Sequence, residues 1–136
     1  MNLYNLNHSK DNIKLFGKAI VFESEKATLQ YKSYFGTEND ISVACCGSNL
    51  SAYQVDSLLE LGVKEIIIAF DKQFQKIGDD EWKAWTKKLK DIHKKYGSKV
   101  QISYMFDKND YLGYKDSPID CGLESFMKLF NERIVL

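Results

Sequence analysis

Ile66-Ile67-Ile68-Ala69-Phe70-Asp71 is a β-branched apolar run that stops abruptly at a carboxylate. A run this short, with no polar residue at alternate positions, reads as a strand buried on both faces, the mark of a parallel sheet. Asp71 cannot belong to the core. It falls at the C-terminal end of its strand, the edge where open α/β sheets place their ligand sites. Ala19-Ile20-Val21-Phe22-Glu23 repeats the pattern. Two strands that each end in an acid predict two carboxylates aimed at one spot. A divalent cation, Mg²⁺ or Mn²⁺, is what such a pair most economically holds.

Outward from these runs the chain alternates. Strand one is Lys18 to Glu23, followed by a helix from Ser24 to Phe35 with Ala27, Leu29, Tyr31 and Tyr34 available for packing. Ile41 to Cys46 is strand two, Gly47-Ser48-Asn49 a tight turn, and Leu50 to Leu61 a helix carrying Tyr53, Val55, Leu58 and Leu59. Lys64 to Phe70 is strand three. Asp79 to Tyr96 is the longest helix, with Trp82, Trp85, Leu89, Ile92 and Tyr96 at helical spacing. Val100 to Phe106 is strand four. A polar loop from Asp107 to Pro118 leads to a last helix, about Gly122 to Arg133, with the stripe Leu123, Phe126, Met127 and Phe130. Strands alternating with helices predict an α/β fold: a four-stranded, mostly parallel sheet with helices on both faces. Residues 18–136 form that domain. Residues 1–17, polar and weakly patterned apart from a short helix at Asn12 to Gly17, read as the remnant of a preceding domain.

The 136 residues suit one domain, and 44% hydrophobic content provides a core. Lysine plus arginine balances aspartate plus glutamate at 19 each. Net charge therefore exerts no overall pull on nucleic acid or membrane, and binding of that kind must come from a local patch. No apolar run approaches the ~18 residues of a membrane span, and the N-terminus does not resemble a signal peptide, so a cytoplasmic protein is expected. Cys45, Cys46 and Cys121 are an odd number without C-x-x-C spacing, which argues against both a disulfide framework and a structural zinc.

Further acids, Asp107, Asp110, Asp116 and Asp120, gather after strand four, on the same edge as Glu23 and Asp71. Such a cluster repels itself unless a cation compensates. Helix capping accounts for Asp79 and Asp80 and competes for Asp120, and solubility competes for Asp107 and Asp110. The long helix carries Lys83, Lys87, Lys88, Lys90, Lys94 and Lys95 opposite its tryptophans. That face reads first as solvated surface, with a phosphate-tracking surface as the functional alternative. The Gly47-Ser48-Asn49 turn has the form of an anion seat. No P-loop is present, and His8 and His93 support no catalytic triad.

The order of these features resembles the Toprim domain of primases, topoisomerases and some nucleases and repair proteins. The resembling segments are Val21-Phe22-Glu23-Ser24-Glu25-Lys26-Ala27, Cys46-Gly47-Ser48-Asn49-Leu50-Ser51 and Ile68-Ala69-Phe70-Asp71-Lys72-Gln73. Bacterial and phage primases are the nearest likeness, through Leu3-Tyr4-Asn5-Leu6-Asn7 and the loop Gly113-Tyr114-Lys115-Asp116-Ser117-Pro118-Ile119-Asp120. The resemblance implies Mg²⁺-dependent nucleotidyl transfer in RNA primer synthesis, with Glu23 and Asp71 catalytic. It implies metal ligation by Glu23, Asp71, Gln73, Asp116 and Asp120, and anion or nucleotide binding by Gly47, Ser48, Lys72 and Lys115. Template DNA, nucleoside triphosphates and a replicative helicase are the implied partners. Ser24 departs from the family's glycine, and Ala27 from a primase acid. Gln73 replaces the second aspartate of Asp-x-Asp and removes a charge from the metal site. The alternatives are a Toprim-like scaffold that binds DNA or a partner without catalysis, another Toprim nuclease or repair protein, or a receiver domain phosphorylated on Asp71.

Overall fold

The structure is a computed structural model and describes residues 2–47 and 49–135. In chain order the elements are α1 (Leu6–Phe16), β1 (Lys18–Phe22), α2 (Glu25–Phe35), a 3-10 turn (Thr37–Asn39), β2 (Ser42–Ala44), α3 (Ala52–Leu59), β3 (Glu65–Ala69), α4 (Asp80–Tyr96), β4 (Gln101–Tyr104), α5 (Leu123–Asn131) and β5 (Ile134–Val135). The sheet order is β2-β1-β3-β4-β5. β1 to β4 are parallel, and β5 runs antiparallel to β4.

The sheet is five-stranded, not four-stranded. β5 is only two residues long, too short to show a period of its own, and its formation depends on contacts remote in sequence. Arg133, just before it, donates through Nε to Glu65 Oε2 at 2.8 Å, and Ser103 Oγ donates to the same oxygen at 2.6 Å. Buried Glu65 thus ties the chain's end to β3 and β4.

Capping residues set the helix starts. Ser24 Oγ accepts from the Ala27 N–H, and Asp79 accepts from the Trp82 N–H at 2.7 Å. A Ser51–Gln54 capping box moves the start of α3 from the expected Leu50 to Ala52. Phe22 of β1, Tyr31 of α2 and Phe126 of α5 form one aromatic cluster, with ring centroids 5.7–6.2 Å apart, so α2 and α5 share a face. Right-handed crossovers put α3 and α4 on the other face. There Tyr104 donates to the Leu89 carbonyl and Tyr96 to the Leu50 carbonyl. Leu29, Tyr34, Tyr53 and Leu123, read from spacing as packing residues, face solvent instead.

The N-terminal segment lies on the sheet. Tyr4 forms an antiparallel bridge with Ala44 at the β2 edge, Leu3 and Ile13 are buried in the core, and α1 is longer than the expected Asn12 to Gly17. Asn5 donates to Asp40 and to the Ser42 carbonyl. No helix among the described residues is long and apolar enough to cross a membrane.

Candidate functional site

β1 and β3 are neighbours, with Phe22 opposite Ala69, so the next turns of chain bring Glu23 and Asp71 together. Both are half-buried, and each leaves a buried oxygen, Glu23 Oε1 and Asp71 Oδ1, without a hydrogen-bond partner. Burial, and then the Asp71 charge, push the Glu23 carboxyl up to about 8, against a weaker opposing pull from Lys88. Asp71 is also raised, chiefly by burial, with Asp120 and Asp116 adding to the repulsion. Two half-buried like charges this close cannot both ionise cheaply, so without a cation the site favours a protonated Glu23.

The Asp71 backbone is clamped. Trp85 of α4, buried against Phe74 and Phe106, donates through Nε1 to the Asp71 carbonyl at 3.1 Å. Sequence spacing marks Trp85 as core, which it is, but contains no signal of this second task. Trp85→Phe keeps the aromatic packing and removes one hydrogen bond. A loss of about 1 kcal/mol in chemical denaturation is expected, with a several-fold weaker Mg²⁺ response from a less well held Asp71.

The 113–120 loop is laced to the strand that carries Asp71. The Lys72 N–H donates to the Asp116 carbonyl at 2.9 Å, and the Lys115 N–H to the Lys72 carbonyl at 2.7 Å. Lys115 adopts a left-handed φ of 68° to make this exchange. Asp116 Oδ2 accepts from the Gly113 N–H at 2.8 Å and from Cys121 Sγ at 3.4 Å. A Cβ on Gly113 would meet that oxygen at 2.9 Å, so a larger residue there would push the Asp116 carboxylate aside. Asp120 accepts from the Ser117 N–H, and the residue that opens α5 is Gly122, so Asp120 closes a turn and does not cap the helix. The Tyr114 hydroxyl reaches Glu81 of α4. Asp116 and Asp120 each have one carboxylate oxygen engaged in their own loop, and their charges add to the upward push on Asp71.

Lys72 is the main departure from the expected site. Its side chain is 4% exposed, and Nζ donates to Asp107 Oδ2 at 3.0 Å, Asp110 Oδ1 at 2.6 Å and the Leu112 carbonyl at 3.0 Å. All three ammonium hydrogens are spent, which leaves none for an anion. Burial alone would lower the Lys72 pKa, but Asp110 and Asp107 outweigh it and raise it. Asp107 is buried as well, so solubility does not explain it. Lys115 is exposed, with Nζ over the Tyr114 ring. Gln73 is half-buried and lines a shallow groove with Glu81, Ala84, Trp85 and Lys88. Gly47 is exposed, while Ser48 lies outside the described residues. Cys45 is buried and Cys46 is exposed.

Among the described residues, no three acidic, histidine or cysteine side chains converge as a ready-made metal cage. The pair Glu23 and Asp71, with two unpartnered carboxyl oxygens, fits a cation of the Mg²⁺ type, which would displace the proton the pair otherwise favours. That ion commonly takes one or two carboxylates and completes its shell with waters and substrate phosphates.

Solved structures share this arrangement of elements. The Aquifex aeolicus primase structure (zinc-binding and RNA polymerase domains) matches 98% of this chain and 30% of its own, at a TM-score of 0.66 and 22% identity. The fold is primase-like. The RNA polymerase domain of Mycobacterium tuberculosis primase DnaG matches 96% of this chain and 40% of its own, at a TM-score of 0.65 and 19% identity. The same domain in complex with double-stranded DNA matches at a TM-score of 0.62, also with 19% identity, over 96% of this chain and 39% of its own. In sequence, the chain is 35% identical over 141 residues to the SPbeta prophage-derived uncharacterized protein YorJ of Bacillus subtilis (strain 168). That alignment takes in 98% of this chain but only 37% of YorJ, so the chain spans little more than a third of that relative's length. No family model matches the chain.

Proposed function

We propose that this chain is a Toprim-type catalytic domain of a phage-type DNA primase, serving Mg²⁺-dependent nucleotidyl transfer in RNA primer synthesis. The observation that carries the reading is the Glu23–Asp71 pair, two half-buried carboxylates with unpartnered oxygens at adjacent strand ends. The primase-like fold and the prophage-derived relative support it. Glu23 and Asp71 would hold Mg²⁺ or Mn²⁺, with Gln73 lending at most a neutral oxygen and Asp116 and Asp120 adding negative field. The ion would supply charge neutralisation for a transferring phosphoryl group and a lowered pKa for an attacking hydroxyl. For their part, the protein residues fix the two acids. Trp85 and the Asp116 carbonyl anchor the backbone at Asp71 and Lys72, and β1 delivers Glu23. Template DNA, nucleoside triphosphates and a replicative helicase are the partners this reading assigns to the longer protein.

A catalytically silent scaffold is the competing reading, because Gln73 removes a charge. Gln73→Asp is expected to raise Mg²⁺ affinity about tenfold in titration calorimetry. Absence of Mg²⁺ binding both with and without that substitution would leave the scaffold reading standing and sink the catalytic one. A receiver domain fits less well, since the fifth strand it needs is here a two-residue antiparallel strand.

A further inference from the structure

With every hydrogen of its ammonium spent, Lys72 can take an anion only in exchange for one of its three acceptors. The three are not equal. Leu112 is buried, and the Asp107 side chain is 2% exposed and also accepts from the Tyr111 and Leu112 N–H groups. The Asp110 side chain is exposed, and among the described residues Lys72 is its one hydrogen-bond partner. Lys72, Asp107 and Asp110 line a cleft of about 260 Å³ together with Lys76, Ile77 and Lys108. A water occupies about 30 Å³, so the cleft has room for a larger guest. Lys76 and Lys108 are exposed, and among the described residues neither forms an ion pair. Asp79 attracts Lys76, but its two oxygens are already taken by the Gln75, Lys76 and Trp82 N–H groups.

We propose that this cleft is a seat for a phosphate group, which takes the place of the Asp110 carboxylate on Lys72 and is flanked by Lys76 and Lys108. The chain's own carboxylate fills the seat when no phosphate is bound. Once Asp110 has swung out, the lining keeps three ammonium groups against the one carboxylate of Asp107. A phosphate carrying close to two negative charges at neutral pH balances that excess, whereas a carboxylate ligand leaves one charge unmatched. The oxygens of a phosphate can each accept a charge-assisted hydrogen bond from a different lysine. The exchange costs little, because a carboxylate as exposed as Asp110 regains its water. Neither Glu23 nor Asp71 lines the cleft, so the seat stands or falls independently of the metal site.

The test is titration calorimetry of the chain with inorganic phosphate, in EDTA and at constant ionic strength. Asp110→Asn removes the competing carboxylate and is expected to tighten phosphate about fivefold. Asp56→Asn, on α3 and outside the cleft, removes the same charge and should leave the affinity unchanged. Lys76→Gln with Lys108→Gln should weaken phosphate by about fivefold or more, with circular dichroism confirming the fold. Acetate should bind more weakly than phosphate to the unsubstituted chain. A further arm with glycerol 3-phosphate separates the two sources of the group. Tighter binding than inorganic phosphate assigns the seat to an esterified phosphate, and weaker binding assigns it to the free ion; either result carries the proposal. No binding of millimolar phosphate by the unsubstituted chain and by Asp110→Asn would overturn it. So would equal gains in Asp110→Asn and Asp56→Asn, an unchanged affinity in the double lysine variant, or acetate bound as tightly as phosphate.

Discussion

Asp71→Asn is expected to abolish the Mg²⁺-dependent rise in melting temperature, and any nucleotidyl transfer with it, while making the metal-free protein more stable at pH 8. The reason is the state of the pair. The Glu23 carboxyl is raised from its ordinary value to about 8, first by burial and second by the Asp71 charge. A carboxyl whose folded pKa lies above its unfolded one binds its proton more tightly in the native state. Its favourable contribution is complete below about 4.5 and is lost as pH rises through about 8. Above that, both carboxylates are charged and face each other with no counter-ion. Because Glu23 is partly exposed, solvent screens much of the effect, and roughly 1 kcal/mol is expected from removing the Asp71 charge. That corresponds to a gain of about 3–5 °C in EDTA at pH 8 and to little change at pH 5. In the unsubstituted chain the same linkage makes Mg²⁺ compete with a proton, so its stabilising effect should grow between pH 6 and pH 8.5. Scanning calorimetry with EDTA or millimolar Mg²⁺ across that range measures both halves. A Mg²⁺ response that survives in Asp71→Asn, or one that is flat with pH in the unsubstituted chain, would remove the pair from the metal site.

This site was legible in sequence to the extent that it depends on local pattern. An apolar run that ends in a carboxylate identifies a strand and the end that carries its acid in one stroke, which is why Glu23 and Asp71 could be paired before their strands were known to be neighbours. Asp79 and the α4 stripe were readable for the same reason. What was not legible depends on partners remote in the chain. Lys72, between Asp71 and Gln73, has the local profile of a surface cation beside an active site. Its acceptors lie 35, 38 and 40 residues away, in a loop whose path no periodicity describes. Asp107 looked like a solubility residue because its burial comes from that same loop. β5 needed Arg133 to find Glu65, 68 positions earlier. The exposed Leu29 and Tyr53 show the opposite error: helical spacing places a side chain on a face, but not under a neighbour.

Lys72→Met should be the most damaging single substitution away from the acidic pair, at about 3–5 kcal/mol, or a fall of roughly 10–20 °C in melting temperature. Methionine keeps most of the apolar stem but removes the ammonium, with its contact to the Phe74 ring, and leaves the Asp107 carboxylate, whose side chain is 2% exposed, with no cation. Asp107 also shapes the loop, accepting from the Tyr111 N–H through Oδ1 and from the Leu112 N–H through Oδ2, each at 2.8 Å. Asp110 is different. Its side chain is 86% exposed, so water can replace Lys72, and Asp110→Asn should be close to neutral for stability. Adding Asp107→Asn to Lys72→Met removes the buried charge but leaves one carbonyl oxygen for two loop N–H donors, so the double variant should recover only about half of the loss. The damage should also reach the acids. The Lys72 backbone holds Asp116 and Lys115 in place, so a loosened 107–116 loop withdraws the Asp116 field from Asp71 and lowers the pH at which the pair deprotonates. Urea denaturation of the four proteins settles the energetics. If Lys72→Met falls within 1 kcal/mol of the unsubstituted chain, the buried ammonium does not hold the loop and the loop must be fixed by its backbone exchange alone.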